Sequence, residues 1–221
     1  MTHPHQEIEL KRLLVGAGAA DRLVLALGPV ASDVEQTNHV FDTPDGRLRK
    51  QRFSVRLRNE DGHFSVTAKA PSRGVRGSVS ARTEAEARVD TRVAEQILAG
   101  AVDPVAALRG RATDAAFAEL WQGLGAARAG QPLHEVGRFQ NRRRTIAVVV
   151  PPNLALRAEV DQTRLPDGRV DEEVEIEIPD AALAEAVEAW LEERALAAGV
   201  ETRASSSKLG RFYAALGSAR A

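Results

Sequence analysis

Apolar and polar positions alternate along the chain with two periods, one of two residues and one of 3.6, and turn residues separate the segments. Strict alternation over 6–12 predicts a strand, and Leu23, Ala26 and Leu27 predict a helix over about 18–28 that Gly28-Pro29 stops. A run of strands follows at 36–42, 47–58, 63–70 and 78–88, with Pro44-Asp45-Gly46 and Asp61-Gly62 as hairpin turns. The basic, glycine-containing stretch 72–77 reads as a loop that could close as a lid. Between 90 and 125 the period turns helical through Val93, Ile97, Leu98, Phe117, Leu120, Trp121 and Leu124. Strands return at 135–150, 154–164 and 169–178, the last two joined by Pro166-Asp167-Gly168. A helix over 180–198, capped by Asp180 and stopped by Gly199, and a short one at 207–216 complete an α+β pattern.

Side chains alternate between the two faces of a strand, so the placement of charge is informative. Glu7, Glu9 and Lys11 share one face, and so do Glu173, Glu175 and Glu177 near the other end. Arg56 with Arg58, and Ser65, Thr67 and Lys69, form basic faces opposite apolar ones. Arg82, Glu84, Glu86 and Arg88 alternate with small residues, as Arg157, Glu159 and Asp161 do with apolar ones. A solvated face mixes signs within a strand; like charges in a row cost free energy unless a counter-ion sits between them. Clustered carboxylates attract hard divalent ions such as magnesium or manganese, and clustered Arg and Lys attract phosphate oxygens. Both strand sets carry this chemistry, which one closed barrel explains better than two domains.

Composition narrows the reading further. The 221 residues suit one domain, and 30 Lys+Arg against 31 Asp+Glu give no net basic field for nucleic acid. Aromatic residues are 4% of the chain, too few for a base-stacking platform behind the 142–144 arginine run. The absence of cysteine excludes disulfides and thiolate catalysis. No apolar run approaches the roughly 20 residues of a membrane span and the N-terminus shows no signal core, so the cytoplasm is the expected location. The histidines show no metal-ligand spacing; Gly16-Ala-Gly18 reads as a turn, and Ser205-Ser-Ser-Lys208 as a helix start carrying a basic residue.

Glu7-Ile-Glu-Leu-Lys11, Phe41-Asp-Thr-Pro44, Arg56-Leu-Arg58, Thr67-Ala-Lys69, Arg82-Thr-Glu-Ala-Glu86, Asp161, Glu175-Ile-Glu177 and Ser207-Lys208, in that order, resemble the CYTH or triphosphate tunnel family. The resemblance spans nearly the whole chain and implies a single domain over 1–221. Its fold would be an eight-stranded antiparallel closed β-barrel with helices packed outside. It implies Glu7, Glu9, Asp161, Glu175 and Glu177 as ligands of Mg2+ or Mn2+, and Lys11, Arg56, Arg58, Lys69 and Lys208 as phosphate-binding. From the 142–144 run, Arg142 and Arg144 share one face and Arg143 takes the other; the first pair is expected at the site. Glu84 and Glu86 would touch the metal or, the preferred role, orient neighbouring cations. Glu7, Glu9, Lys11 and Lys69 would stand closest to the chemistry, with a triphosphate as the small-molecule substrate, no nucleic acid or membrane partner, and room for a homodimer. Hydrolysis of inorganic tripolyphosphate is the first expectation. Thiamine triphosphate hydrolysis and ATP cyclisation are the alternatives within the family, and polyphosphate or nucleotide binding without turnover is the alternative of another class.

Overall fold

The computed structural model describes residues 5–74, 79–110 and 117–219, with the backbone alone for 5–7, 73 and 74. Its elements run β1 (His5–Val15), α1 (Ala19–Leu27), β2 (Val30–Asp42), α2 (Arg47–Lys50), β3 (Ser54–Glu60), β4 (His63–Lys69), β5 (Arg73–Gly74) and β6 (Val79–Val89). Then follow α3 (Thr91–Leu98), α4 (Pro104–Arg109), α5 (Ala118–Arg128), β7 (His134–Val150), β8 (Leu154–Arg164), β9 (Val170–Glu177), α6 (Ala184–Ala197), β10 (Glu201–Ala204) and α7 (Lys208–Ser218). The strands form one sheet in the order β10, β1, β9, β8, β7, β2, β3, β4, β6, β5, and β1 also pairs with β6. That pairing closes the eight longer strands into an antiparallel β-barrel, the expected α+β class.

Two compact units can be distinguished, the first built chiefly from Gln36–Arg73 and Arg82–Phe139, the second chiefly from Ile8–Glu35 and Gln140–Ala221. In the first, one face of β2, β3, β4 and β6 sends Phe41, Val55, Leu57, Val66, Ala68, Ala85 and Ala87 into a core with Leu48, Ile97, Leu108, Phe117, Leu120 and Leu124 from the helices. In the second, Leu10, Leu14, Ile146, Val148, Val160, Val174 and Ile176 meet Leu23 of α1 and Val187, Trp190 and Leu191 of α6. Each large side chain fully buried in these cores contributes about 1.5–3 kcal/mol. Because alternate residues line opposite faces, filling one face with apolar side chains commits the other to the charged set.

Two of the three Asp-Gly turns join strands directly. Asp61 (φ 49°) and Gly62 (φ 83°) both take the left-handed region, as a tight hairpin turn demands, and the Asn59 side-chain oxygen accepts the Gly62 N–H at 2.9 Å. Gly168 (φ 85°) turns β8 into β9. At Pro44-Asp45-Gly46 the flanking strands β2 and β3 do pair antiparallel, but through a longer connection in which 47–50 is the helix α2 rather than strand. The cause is Asp42, whose buried carboxylate accepts the N–H groups of Thr43, Leu48 and Arg49 at 2.7, 2.8 and 3.1 Å, while Thr43 Oγ1 accepts that of Arg47. These bonds satisfy the orphan donors of a helix N-terminus and curl the chain where alternation suggested extension. The four-residue β10 was not signalled by the pattern, and the tip of the expected lid, 75–78, lies outside the described residues.

Candidate functional site

The charged face of the second unit gathers side chains from β1, β7, β8, β9 and α7. Antiparallel register sets Lys11 and Glu159 opposite Glu175, and Glu173 and Arg143 opposite Asp161. The Lys11 ammonium lies 2.7 Å from Glu175 and 3.0 Å from Glu9. Arg143 forks onto Asp161 through Nε and Nη2 at 2.8 and 2.6 Å, reaches Glu175 at 2.9 Å and pairs with Glu159. Lys208, the first residue of α7, places Nζ 2.5 Å from Asp161, 2.8 Å from Glu173 and 3.5 Å from Glu175. One helical turn on, Arg211 bonds Asp171 and Glu173 at 2.7 and 2.6 Å.

Asp161 is fully buried and its acceptor capacity is filled: Oδ1 accepts from Asn141 and Arg143, Oδ2 from Arg143 and Lys208. Burial alone would push its carboxyl up; Arg143 and Lys208 outweigh burial and hold it well below the usual carboxylate range. The same contest lowers Glu175, with Lys11, Lys208 and Arg143 prevailing. For Lys208 burial works downward, but Asp161, Glu173 and Glu175 prevail and raise it. Asp161, Glu175 and Lys208 are therefore all charged across the neutral range.

The arginine register is the reverse of the expectation. Arg143 stands among the carboxylates, whereas Arg142 pairs with exposed Asp33 at 2.6 Å and Arg144 with Asp21 of α1 at 2.5 Å. Both even-numbered arginines share the face of Ile146 and Val148, the face that α1 and α6 cover. Glu173, Glu159 and Arg211 join the cluster without having been singled out as site residues. Parity with Glu175 could have found Glu173, and helical spacing from Lys208 could have found Arg211. Glu177 lies opposite Glu9 at an exposed position, and the Glu7 side chain lies outside the described residues.

In the first unit Arg56 and Arg58 of β3, Thr67 and Lys69 of β4, and Glu84 and Glu86 of β6 share one face, with Arg56 opposite Thr67, Thr67 opposite Glu86 and Lys69 opposite Glu84. Lys69 pairs with Glu84, Thr67 donates to Glu86 at 2.9 Å, and Arg58 donates to the Asn38 side chain at 3.3 Å. Burial raises the Glu86 carboxyl, but Arg56 and Arg58 outweigh it and leave it lowered. Arg56 Nε is buried and finds no hydrogen-bond partner among the described residues.

Asp161, Glu173 and Glu175 each offer an oxygen, all within 4.8 Å of one another. This donor set is purely carboxylate, the kind that suits a hard divalent ion, and the Lys208 ammonium already bridges the three residues as a stand-in cation. The set fits a metal.

With this geometry established, similarity to known proteins adds the family. The model of the CYTH domain matches residues 5–213, and the chain belongs to that family. The family is metal-dependent, in keeping with the buried acidic cluster. No curated protein matches the chain by sequence. Among solved structures, HpAC1 from Hippeastrum, an adenylyl cyclase candidate described as having a dominant triphosphatase activity, is 25% identical with a TM-score of 0.77, over 94% of this chain and 95% of that one. An adenylate cyclase candidate from Bacillus halodurans is 21% identical with a TM-score of 0.67, over 94% and 98% of the two chains. A protein from Pyrococcus horikoshii OT3 is 14% identical with a TM-score of 0.55, over 90% and 94%. The last two establish likeness of fold alone.

Proposed function

We propose that this chain, as one domain over 1–221, is a metal-dependent triphosphatase that releases the terminal phosphate of a linear triphosphate, with inorganic tripolyphosphate as the preferred substrate. The observation that carries the reading is the buried carboxylate set Asp161, Glu173 and Glu175, whose oxygens converge within 4.8 Å. The described dominant triphosphatase activity of HpAC1 supports it. Asp161, Glu173, Glu175 and Glu9 would hold Mg2+ or Mn2+, with Glu7 and Glu177 as further carboxylates. When bound, such an ion offsets charge on phosphate oxygens and lowers the pKa of an attacking water.

Arg56, Arg58 and Lys69 supply positive charge on β3 and β4, and Arg56 Nε, without a hydrogen-bond partner among the described residues, is a donor suited to a phosphate oxygen. Lys11, Arg143 and Lys208 supply it on the second unit. Glu84 and Glu86 hold Lys69 and Thr67 in place. Phosphoryl transfer to water needs charge stabilisation and alignment rather than a covalent nucleophile, and these side chains provide the first. Aromatic rings are largely taken up by packing: Phe41, Phe53, Phe64, Phe117 and Trp121 join the core of the first unit, and Phe212 and Tyr213 are buried against each other. That leaves little to stack on a nucleobase or a thiazolium, which favours the inorganic substrate over thiamine triphosphate hydrolysis and over ATP cyclisation.

No helix among the described residues is long and apolar enough to cross a membrane, and a cytoplasmic enzyme without a nucleic-acid partner, as a monomer or a homodimer, is part of this reading. The test is phosphate release from tripolyphosphate, thiamine triphosphate and ATP in parallel, with Mg2+, Mn2+ or a chelator. Chelator-sensitive release fastest from tripolyphosphate is expected. Release from none of the three would overturn hydrolysis in favour of cyclisation or binding without turnover.

A further inference from the structure

We propose that Lys208 is the resident cation of the carboxylate cluster, so that its ammonium and a divalent metal are alternative occupants of one place and metal entry frees Lys208 for an anionic ligand. This rests on the metal-dependent reading above. The ammonium contacts Asp161, Glu173 and Glu175, the same three residues whose oxygens converge. Nζ donates to Asp161 Oδ2 and stands within ion-pair distance of Glu173 and Glu175. A Mg2+ ion drawing these carboxylates to about 2.0–2.1 Å would compete with the ammonium for the same place among them.

Two further features indicate that Lys208 can yield its place. A lysine in the first turn of α7 opposes the helix dipole, so the carboxylates rather than the helix hold the ammonium there. The helix itself does not depend on Lys208 for its docking. Arg211 straps α7 through Asp171, Glu173, Ser205 and the Ser206 carbonyl, and Ser207 caps it by accepting the Gly210 N–H at 3.1 Å. The flexible four-carbon stem of lysine lets its head group move while α7 stays.

The test is calorimetric titration of the full chain with Mn2+ alone, in the absence of any triphosphate. Lys208→Met should bind Mn2+ about tenfold tighter or more than the unsubstituted protein, and Lys208→Arg, which keeps the charge, should not. Arg211→Met, which removes a neighbouring cation off the central position, should gain less. Unchanged or weaker Mn2+ affinity in Lys208→Met, or an equal gain in Arg211→Met, overturns the proposal. Absence of Mn2+ binding in every protein would instead overturn the metal-dependent reading itself. A second measurement reads the unsubstituted protein itself, with a variant needed only for assignment: in the 15N-lysine-labelled chain, the Nζ signal of Lys208, assigned by its absence in Lys208→Arg, should move saturably on addition of Mg2+. A signal that stays fixed while Mg2+ binds counts against displacement.

Discussion

The two units carry charged faces of opposite character on the same kind of antiparallel scaffold. In the first, Arg56, Arg58 and Lys69 accompany two carboxylates, Glu84 and Glu86, and a buried arginine nitrogen lacks a partner among the described residues. In the second, Glu9, Glu159, Asp161, Glu173 and Glu175 are knitted to Lys11, Arg143, Lys208 and Arg211. On the first face the buried Arg56 Nε has no hydrogen-bond partner among the described residues; on the second every one of these carboxylates is ion-paired to a cation of the same unit. A buried network of the second kind is costly to break by removing one member, because the remaining charge is stranded away from water. The contrast points to a division of labour between anion binding and cation binding, which variants on each face can test.

The largest effect is expected at Arg143. Arg143→Met leaves fully buried Asp161 with only Asn141 and Lys208 and strips Glu175 of one cation. A loss of about 3–5 kcal/mol in unfolding free energy by urea denaturation follows from the cost of an uncompensated buried charge. A loss under about 1 kcal/mol would mean the network is loosely coupled and the contrast between units overstated.

Activity should separate the units next. Glu175→Gln removes a carboxylate from the converging set, and chelator-sensitive phosphate release should fall about hundredfold or more, since a bound ion is worth several kcal/mol to such a reaction. Arg56→Met on the first unit should raise KM for tripolyphosphate about tenfold with a smaller change in kcat, the signature of lost ground-state binding. A reversed split, with Glu175 governing KM and Arg56 governing kcat, would exchange the assigned roles.

Acid should test the second unit in a different way. Asp161 and Glu175 have folded-state values held below their ordinary 3.8 and 4.5. Their contribution to stability is complete above those ordinary values and is lost as pH falls through the depressed ones. Lys208 runs the other way: its contribution is complete below its ordinary 10.5 and is lost as pH rises through its raised value. Unfolding free energy measured against pH should therefore fall in acid, with a shallower slope in Asp161→Asn. Equal acid slopes in the two proteins would show that Asp161 is not strongly coupled to Arg143 and Lys208.

The strands that carry these faces were readable because alternation over β3, β4, β8 and β9 sets most charged and apolar residues on opposite sides, with Arg164 and Glu172 near the strand ends as exceptions. Arg56, Lys69, Asp161 and Glu175 could be placed on a face from parity alone. The strand expected from 47 was misread because the Asp42 carboxylate acts through three backbone N–H groups up to seven residues away, and a period-two reading does not register a side chain that caps. The arginine run was ambiguous for another reason: 145–150 is apolar or small at both parities, so β7 offers no internal clue to which side meets the helices. Asp161 supplies the missing clue, since register with β8 sets Arg143 opposite it.

The smallest predicted effect tests that register most directly. Arg142 projects from the helix-covered side of β7 and pairs with Asp33, both at exposed positions, through Nε at 2.9 Å and Nη2 at 2.6 Å. An exposed pair of this kind contributes about 0–1 kcal/mol, because water screens it and ordering two side chains costs entropy. Arg142→Met should therefore change unfolding free energy by about 0.5 kcal/mol or less, shift Mn2+ affinity little, and leave phosphate release near that of the unsubstituted protein. Arg143→Met, one residue along the same strand, should fail all three measurements. Matching losses in the two variants would mean that β7 does not present Arg143 alone to the carboxylates, and the assignment of the cation-binding face to the second unit would fall with it.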